Sequence, residues 1–555
     1  MRTKKRLSLL ILFALLLSAI APFATFAEGN VAKIGDTGYA SIAEAVAALR
    51  SGDTLELLAN ADAGTAQLTV GVSATIKGNG YTLTSANTDY AFVLGDNAGK
   101  VVLENIEIKC TAGGGFKIRK NVTLEVADNV KMNTKNCAFL FHSGDGKSEG
   151  SSIRIRGGEY VSAGGFVICT GNNVTGRSIR IDGGSYTATG GNLVAASNAT
   201  VEVYGGVFHN QGPSNNFNFF GQAELKMYGG AIFNDKADAG SAVLNLNENS
   251  FVTIYDGYFC NNGKGRALTT NGSAGEQKDI SIYGGTFVVK GTGAAVRSDD
   301  SKRPVVVYGG QFFNYANNWA VAGQSRLKGG YVQAVKALAD NGSVTENTAA
   351  RNEAGGYLMT DGLYARVADT APTMLLGASA RLVEGSNGIR FEATVSKATV
   401  DYVTGLKDEG TEIGYGTVIC PTDLLAGISG MNMNALTVMG KAYENVVAKD
   451  GISTDADGNV RIRAALVDLR TENIGRAMSA VSYISYVKNG TTVYVYGAYA
   501  ESESSRSMSY VANAALNDVK STATGLYKYE YNGKYSPYTD AQRAILQGYL
   551  DAVAN

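Results

Sequence analysis

Val-Val-Val-Tyr-Gly-Gly-Gln-Phe, at residues 305–312, is one copy of a unit that recurs from about residue 153 to residue 331. Residues 280–287 (Ile-Ser-Ile-Tyr-Gly-Gly-Thr-Phe) and 201–208 (Val-Glu-Val-Tyr-Gly-Gly-Val-Phe) are further copies. The second glycines of the copies are Gly158, Gly184, Gly206, Gly230, Gly257, Gly285, Gly310 and Gly330, at steps of 26, 22, 24, 27, 28, 25 and 20 residues. A period of this size with variable steps is typical of a solenoid whose insertions fall in loops.

Each unit predicts a strand followed by a sharp bend. Ile280 and Ile282 face one way and Ser281 the other, because side chains alternate along a strand. The glycines bend the chain where a Cβ would be costly, and a second apolar segment follows about ten residues later. No unit contains a helical stretch, so the pattern predicts an all-β fold, a right-handed parallel β-helix. A β-sandwich or propeller is the main alternative, but its hairpin turn dipeptides are scarce here.

Composition limits the partners. The chain has 555 residues, enough for two or three domains, and its 6 prolines suit continuous strand ladders. Its 49 basic and 50 acidic residues give a formal net charge of −1. No long basic run exists outside the N-terminus, so the chain is not expected to bind nucleic acid.

The N-terminus has the pattern of a secretory signal, assigned to residues 1–27. Four basic residues precede an apolar run from Leu7 to Ala21, and Thr25-Phe-Ala27 offers small residues for cleavage after Ala27. The run is short for a membrane span of ~20 residues, although an uncleaved anchor is the alternative. No later stretch could span a bilayer, so the mature protein is expected to be secreted, extracellular or loosely attached to the cell surface.

The cysteines are few and scattered. They are Cys110, Cys137, Cys169, Cys260 and Cys420. None forms a Cys-x-x-Cys pair, which argues against a disulfide scaffold. They are predicted to be small buried hydrophobic residues, with a single bridge as the alternative.

The segment 28–60 is predicted to cap the solenoid, which is assigned to residues 61–335. Ser41-Ile-Ala-Glu44 reads as a capping box, and a short amphipathic helix there would cover the open end of the first coil. Residues 39–55 resemble the N-terminal cap of right-handed parallel β-helix proteins of the pectate-lyase-like class. The resemblance implies the same fold.

A second domain is predicted at residues 377–555, after a last coil and linker at 336–376. Its alternating apolar segments, such as Gly388–Val395 and Val460–Val467, predict strands, and two helices follow towards the C-terminus. The domain is expected to be β-sandwich-like or α+β. Its short motifs, among them Gly388-Ile-Arg-Phe391, are similar to a C-terminal module of secreted proteins of clostridia-like bacteria. That resemblance implies an extracellular bacterial setting and brings no catalytic residues.

The resemblance to pectate-lyase-like proteins implies two kinds of catalytic site. Enzymes that cleave uronic-acid polymers use clustered aspartates and a basic residue, and those that hydrolyse galacturonans use aspartates with a Gly-His-Gly segment. The sequence contains neither arrangement. Its two histidines are His142 and His209, and Lys117-Ile-Arg119 only superficially matches the basic segment. Asp299-Asp300 is the acidic pair of the repeat region, and a solvated turn is favoured over a catalytic pair. His142 and Asp299 lie about six coils apart, or ~29 Å at the strand spacing, so they cannot share one site. We assign no catalytic residue, cofactor or metal.

The candidate ligand-binding residues form a stripe. Tyr204, Tyr228, Tyr255, Tyr283 and Tyr308 each precede the bend in consecutive coils. One interpretation is an aromatic ladder that stabilises the sheet, and the other is an aromatic platform for a polysaccharide. Four asparagines that follow the bends are predicted to form an internal ladder, with surface hydrogen bonding as the alternative; they are Asn210, Asn234, Asn261 and Asn314.

The sequence therefore predicts a secreted bacterial β-helix protein, a monomer, that binds polysaccharide or cell-surface glycan without cleaving it. Whether it is an enzyme stays open. The alternative is a polysaccharide lyase or glycoside hydrolase acting on a uronic-acid-containing polymer, which a clustered acidic site within one or two neighbouring coils would favour.

Overall fold

The structure, a computed structural model, describes residues 29–338 apart from 145–146 and 172–173, four short strands between 344 and 374, and residues 378–554 apart from 450–451, 498, 500–504, 518–528, 532–533 and 537. The predicted signal peptide lies outside the described residues, as does most of the predicted linker.

Residues 32–338 form a parallel β-helix of about 11 turns, built from three long sheets. The fold prediction is confirmed. From Asp53–Leu57 to Tyr331–Leu338 each strand pairs in parallel with its equivalent one coil away, as Ile282 does with Val307, while the strands at the N-terminal edge of sheet A and the C-terminal edge of sheet B pair antiparallel. The strands of sheet A, from one edge to the other, are Thr37–Tyr39, Ala32–Ile34, Asp53–Leu57, Ala74–Lys77, Gly99–Glu104, Val122–Val126, Ser152–Ile155, Arg177–Ile181, Ala199–Val203, Glu224–Met227, Phe251–Ile254, Ile280–Ile282, Val305–Val307 and Ser325–Leu327.

Sheet B follows the Gly-Gly bend of each coil, and sheet C completes the coil. Sheet B comprises Ala61–Asp62, Thr82–Ser85, Glu107–Cys110, Lys131–Thr134, Glu159–Ser162, Ser185–Ala188, Val207–Asn210, Ala231–Asn234, Tyr258–Asn261, Thr286–Val289, Gln311–Trp319, Tyr331–Leu338, Val344–Glu346, Tyr357–Leu358 and Tyr364–Arg366. Sheet C comprises Leu68–Val70, Tyr90–Leu94, Gly114–Ile118, Phe139–Phe141, Ile168–Cys169, Val194–Ser197, Phe217–Phe220, Leu244–Asn247, Leu268–Asn271, Val296–Ser298 and Val321–Gly323.

The repeat unit explains the coil. Ile280 and Ile282 are fully buried in the core while Ser281 is only half-buried, as the period of two predicts. All eight second glycines have positive φ, from 88° at Gly230 to 144° at Gly257, a region that residues with a Cβ avoid. The bend between sheets A and B therefore requires glycine at this position in every copy.

The N-terminal cap is a helix at Ile42–Ala47. Ser41 and Glu44 form the predicted capping box, with both reciprocal hydrogen bonds at 3.2 Å. Ile42, Ala45 and Val46 are buried, and the helix packs on the first strand of sheet C. It thus covers apolar core that the first coil would otherwise expose.

The C-terminal region consists of two antiparallel sheets and four helices among the described residues. One sheet comprises Thr373–Met374, Ser379–Arg381, Gly388–Val395, Val460–Val467 and Ile452–Thr454; the other comprises Glu444–Val447, Gly414–Pro421, Met478–Lys488, Thr491–Tyr496 and Ser505–Arg506. The helices are Lys397–Leu406, Met433–Val438, Met508–Leu516 and Asp540–Ala554, with 3-10 turns at Thr422–Leu425 and Thr471–Asn473 and a hairpin of Tyr529–Tyr531 and Lys534–Ser536. The last two helices match the two predicted, and the first two were not predicted.

Candidate functional site

The five tyrosines of the stripe form a continuous ladder at the corner between sheets A and B. Their rings stack in chain order, with centroids 4.4, 5.1, 5.7 and 4.9 Å apart and interplanar angles between 5° and 11°. The guanidinium carbon of Arg180 lies 4.2 Å from the centroid of the Tyr204 ring and closes that end of the stack. The ring faces therefore contact each other, and the ring edges point away from the solenoid.

The C-terminal region covers most of this ladder. Tyr255 is 4% exposed and Tyr283 is 9% exposed, in a cluster with Val403, Ile484 and Val493 of the C-terminal region. Burial raises the pKa of Tyr283, so its hydroxyl stays protonated. The ladder is thus part of an apolar interface between the β-helix and the C-terminal region.

Hydrogen bonds fix the same interface. Asn489 Nδ2 donates to the Tyr255 hydroxyl at 3.0 Å, and the Tyr402 hydroxyl donates to the Tyr308 carbonyl at 2.8 Å. Asn434 binds the bend itself, since its Oδ1 accepts from the Gly230 N–H at 3.2 Å and its Nδ2 donates to the Gly230 carbonyl at 3.1 Å. The C-terminal region therefore recognises both the side chains and the backbone of the repeat.

Ligand binding by the tyrosines stays a prediction, and the stacking geometry restricts which ring faces a ligand could reach. A sugar ring packs on an aromatic face, and the faces between neighbouring tyrosines are occupied by the next ring. Tyr204 is the exposed member, at 38%, and Arg180 and Tyr228 lie on its two faces. A platform of five open rings does not exist in this structure.

The bend glycines bring the two parts of the chain into close contact. A Cβ on Gly284 would lie 2.4 Å from the Tyr255 carbonyl oxygen and 3.8 Å from Val493. A Cβ on Gly229 would lie 2.8 Å from the Tyr204 carbonyl oxygen and 3.6 Å from Asn434. The first glycine of the pair therefore serves both the stacking of the coils and the approach of the C-terminal region.

Asp299 and Asp300 do not act as a pair. Asp299 is exposed, and its carboxylate lies between Arg297 Nε at 2.6 Å and Arg266 Nη1 at 3.2 Å. Asp300 is 8% exposed and binds Arg303 Nε at 2.9 Å. Burial alone would raise the pKa of Asp300, but hydrogen bonds from two backbone N–H groups and from Arg303 together lower it.

Arg303 acts as a clip across the coils. It is 1% exposed, and its guanidinium donates to the carbonyls of Leu246, Ser250, Asn271 and Gly272 at 2.9–3.3 Å. These carbonyls belong to two earlier coils. The ion pair with Asp300 is therefore structural and supports the outer surface of sheet C from beneath.

The two histidines lie on different sheets. His142 follows a strand of sheet C, and burial followed by the nearby Lys117 and Lys147 lowers its pKa. His209 is on sheet B, where its Nδ1 lies 2.7 Å from Asp235 Oδ2 and its ring stacks on Phe233. The sheet C strands next to His142 and Asp299 are six steps apart, as the coil spacing predicts.

The predicted internal position of the asparagines is confirmed, but the ladder is continuous over three coils only, because Val289 separates Asn261 from Asn314, which is 4% exposed and donates to the Gly293 carbonyl instead. Asn210, Asn234 and Asn261 are fully buried inside the coils, and Asn234 Nδ2 donates to Asn261 Oδ1 at 3.1 Å. These side chains also bind carbonyls of the turn between sheets B and C, such as that of Ser241. They hold the inner side of this turn in shape.

A polar groove of ≈ 380 Å³ lies outside this turn and along the outer face of sheet C. Its lining comprises Asn215, Gly240, Ala242, Asn245, Lys264, Gly265, Arg266, Thr269, Asn271, Thr292, Gly293, Ala294 and Arg297. Asn245 and Thr269, both about 95% buried, form the floor at equivalent positions of adjacent coils. Lys264 and Asn271 are exposed, so the rim is open to solvent.

Hydrogen bonds pre-organise the groove. Asn245 Nδ2 donates to Asn218 Oδ1 at 2.8 Å, and Asn271 Nδ2 donates to Asn245 Oδ1. Arg266 Nη1 donates to Thr269 Oγ1 at 2.7 Å as well as to Asp299. Because a guanidinium carries five donors, Arg266 and Arg297 can bind Asp299 and still offer N–H groups to a ligand.

Sequence reasoning missed this groove, although a signal existed. Asn218, Asn245, Thr269 and Arg297 occupy one outward register position in four consecutive coils. They follow the second apolar segment of each unit, where the sequence is less regular than at the Gly-Gly bend. Aligning the second segments by their inward residues reveals the polar column.

Within the described ranges, no group of three His, Cys, Asp or Glu residues is placed to hold a metal ion. Among the helices of the described part of the chain, none is long and apolar enough to cross a membrane.

No protein-family model matches the chain, and no curated protein matches it. Among solved structures, it is similar to the full-length tailspike protein 2 from Escherichia coli O157:H7 bacteriophage CAB120, with 13% identity and a TM-score of 0.27. The alignment covers 80% of this chain and 64% of the tailspike chain. The enzymatically active domain of bacteriophage CBA120 tailspike protein 2 is similar at 12% identity and a TM-score of 0.24, covering 80% of this chain and 72% of that domain. The function proposed below rests on this chain's own residues.

Proposed function

We propose that this protein binds a polysaccharide in the polar groove on sheet C and does not cleave it. The observation that carries the proposal is the pre-organised polar lining, with buried Asn245 and Thr269 on the floor and two arginines on the wall. Amides and guanidinium groups are planar hydrogen-bonding groups that match the vicinal hydroxyls and carboxylates of sugars. The rim is also extended along the coils, as a polymer requires.

The charge of the groove favours sugars that carry carboxylates. Arg266 and Arg297 both bind Asp299, and Lys264 lies 3.5 Å from Asp238, an exposed residue. Exposed ion pairs contribute ~0–1 kcal/mol, so an incoming carboxylate can exchange with them at low cost. A uronic-acid polymer is therefore the first probe to test.

Binding without cleavage is proposed because the acidic groups near the groove do not form a catalytic pair. Glycosidases use two carboxylates, roughly 5–9.5 Å apart. The described lining contains no carboxylate, and the two that adjoin it are each paired: Asp299 with two guanidinium groups and Asp238 with Lys264. A lyase or hydrolase acting on a uronic-acid polymer is the competing function, which a product assay separates from binding.

The test is a panel of polygalacturonate, mannan and arabinoxylan, assayed for retention and for new reducing ends or unsaturated products. Wild-type protein is expected to retain at least one polymer without releasing product. The variant Asn271→Ala/Arg297→Ala should lose this retention, while Arg156→Ala, an exposed arginine on sheet A, should keep it. Retention of no polymer, or full retention by the double variant, would contradict the proposal; product release would establish the enzyme instead.

We also propose that the mature protein is a secreted or loosely surface-attached bacterial monomer. The support is the pattern at residues 1–27, with its basic start and short apolar run. N-terminal sequencing of exported protein should begin at Glu28, and light scattering should give one chain per particle. Intact Met1 protein in the membrane fraction would favour the uncleaved anchor.

A further inference from the structure

A second surface pocket lies nearer the N-terminus, on the turns of earlier coils that are equivalent to those of the groove. It has a volume of ≈ 340 Å³ and is lined by Lys109, Cys110, Thr111, Asn133, Thr134, Lys135 and Ala163. These residues are at the ends of three consecutive strands of sheet B, where the chain turns towards sheet C. The groove on sheet C is built on the turns that follow later strands of sheet B.

The side chains of this pocket are available to a ligand. Lys109, Asn133 and Lys135 are exposed. Lys109 Nζ has an exposed ion pair with Glu107 at 3.0 Å, whereas the Lys135 ammonium contacts no acidic group among the residues that the structure describes. Two ammonium groups, an amide and the hydroxyl of Thr111 thus surround the pocket and can bind hydroxyl or carboxylate groups.

The distance between the two pockets follows from the coils. Strand Lys131–Thr134 contributes to the centre of the second pocket, and the turn after strand Tyr258–Asn261 contributes Lys264, Gly265 and Arg266 to the centre of the groove. The pairing of sheet B separates these two strands by five steps. At the strand spacing of ~4.8 Å this is ~24 Å along the axis. Four turns lie between them: two contain Gly164-Gly165 and Gly190-Gly191, and the other two carry the exposed residues Gln211, Pro213 and Asp238.

We infer that the pocket at Lys109, Asn133 and Lys135 is a second subsite for the same polysaccharide, so that the bound polymer runs parallel to the solenoid axis. This inference rests on the proposed function of the groove. A fragment shorter than ~24 Å reaches one subsite, whereas a longer fragment reaches both, and the second contact then becomes intramolecular.

The experiment measures affinity against fragment length by calorimetry. The probe is a size-fractionated series of fragments of the polymer that wild-type protein retains, with oligogalacturonides first. For wild-type protein, affinity should rise on the order of 100-fold once the fragment exceeds ~24 Å. The variant Asn133→Ala/Lys135→Ala should lose this rise and bind short fragments as wild-type protein does.

The controls separate this inference from the proposed function. Lys100→Ala, an exposed lysine on sheet A, should leave the length dependence intact. Equal affinity for short and long fragments in wild-type protein would overturn the second subsite while the groove stands. Unchanged binding of long fragments by Asn271→Ala/Arg297→Ala would instead overturn the groove. If wild-type protein binds no polymer of the panel, both the groove and the second subsite would be overturned.

Discussion

The tyrosine ladder and the polar groove are both periodic, but they differ in what their side chains face. In the ladder, identical rings stack at the coil spacing, and the C-terminal region buries Tyr255 and Tyr283. In the groove, Asn245, Thr269 and Arg297 differ from coil to coil and line an open space. Identical rings at equivalent positions stack on one another, so their faces are occupied. A polar column whose residues differ from coil to coil leaves hydrogen-bond donors and acceptors for a ligand.

A residue that recurs at the same position of successive coils in a solenoid therefore indicates, first of all, a role in stabilising the sheet. Aromatic pairs contribute ~0.5–1.5 kcal/mol beyond their burial, and the ladder contains four such pairs. The same stripe then offers an apolar edge on which a second domain can dock. Positions where the repeat breaks its own pattern are the better candidates for binding.

The largest expected effect comes from removing the clip beneath the groove. Arg303→Ala leaves Asp300 buried without its ion pair and removes the guanidinium donors from four carbonyls, so the β-helix should lose about 3–5 kcal/mol of unfolding free energy. Denaturant unfolding followed by circular dichroism measures this loss. The neighbouring Lys302→Ala, whose side chain is exposed, should change stability by less than ~0.5 kcal/mol. Equal stability of the two variants would contradict the role of the clip.

The fold was predictable from the sequence because each coil is determined by a short pattern of neighbouring residues that repeats along the chain. The triplet 280–282 fixes which side chains are inside, and the second glycine of the pair is required by its positive φ. The capping box at Ser41 likewise depends on residues three positions apart. Patterns of this kind can be read without knowledge of any distant contact.

The site was not predictable in the same way. The burial of Tyr255 depends on Val493 and Asn489, more than 200 residues away, and no periodicity records that contact. Two helices of the C-terminal region were also missed. The helix Lys397–Leu406 contains β-branched valine and threonine, which favour strands, and Met433–Val438 has six residues. Their formation depends on caps at Ser396 and Asn432 and on packing.

The next largest effect is expected from a substitution in the part of the tyrosine ladder that the C-terminal region buries. Tyr255→Ala removes a ring that is stacked on two neighbours and buried against the C-terminal region, which should cost about 3 kcal/mol. The C-terminal region should then be cleaved faster in limited proteolysis, while retention of polysaccharide at the groove stays unchanged. Tyr204→Ala, at the exposed end of the ladder, is the matched control with a smaller effect. Loss of polysaccharide binding by folded Tyr255→Ala protein would revive the platform interpretation.

A pH effect of up to about 3 kcal/mol is expected at the same interface, because one pKa unit corresponds to about 1.4 kcal/mol. Asp256 replaces the first glycine of one bend and faces Tyr494 and Tyr496, and burial raises its pKa to about 6 from 3.8. An acid whose pKa is raised on docking takes up a proton when it docks. Docking is therefore most favourable below pH 3.8 and weakens as the pH rises through 6.

The comparison with Asp256→Asn isolates this carboxyl group. Proteolysis of the C-terminal region should accelerate between pH 4 and pH 7 in wild-type protein and change less in the variant, which stays neutral. Identical pH profiles of the two proteins would contradict the assignment. The groove contains no counterpart of Asp256, so its binding should not follow the same profile.

The smallest effect concerns one hydrogen bond of the ladder. Tyr255→Phe keeps the ring but removes the hydroxyl that accepts from Asn489, which should cost about 1 kcal/mol. A double-mutant cycle with Asn489→Ala measures the coupling between the two side chains. A coupling energy of zero would show that the contact does not hold the C-terminal region in place.

The most direct test of the account is a hydrogen-exchange footprint of the wild-type protein with and without the retained polysaccharide. Protection on binding should appear in residues 264–271 and 292–298, which carry Arg266, Asn271 and Arg297. The bends that carry the tyrosine ladder should exchange at the same rate in both samples. Protection at those bends, with none at the groove, would contradict the account and assign binding to the tyrosines.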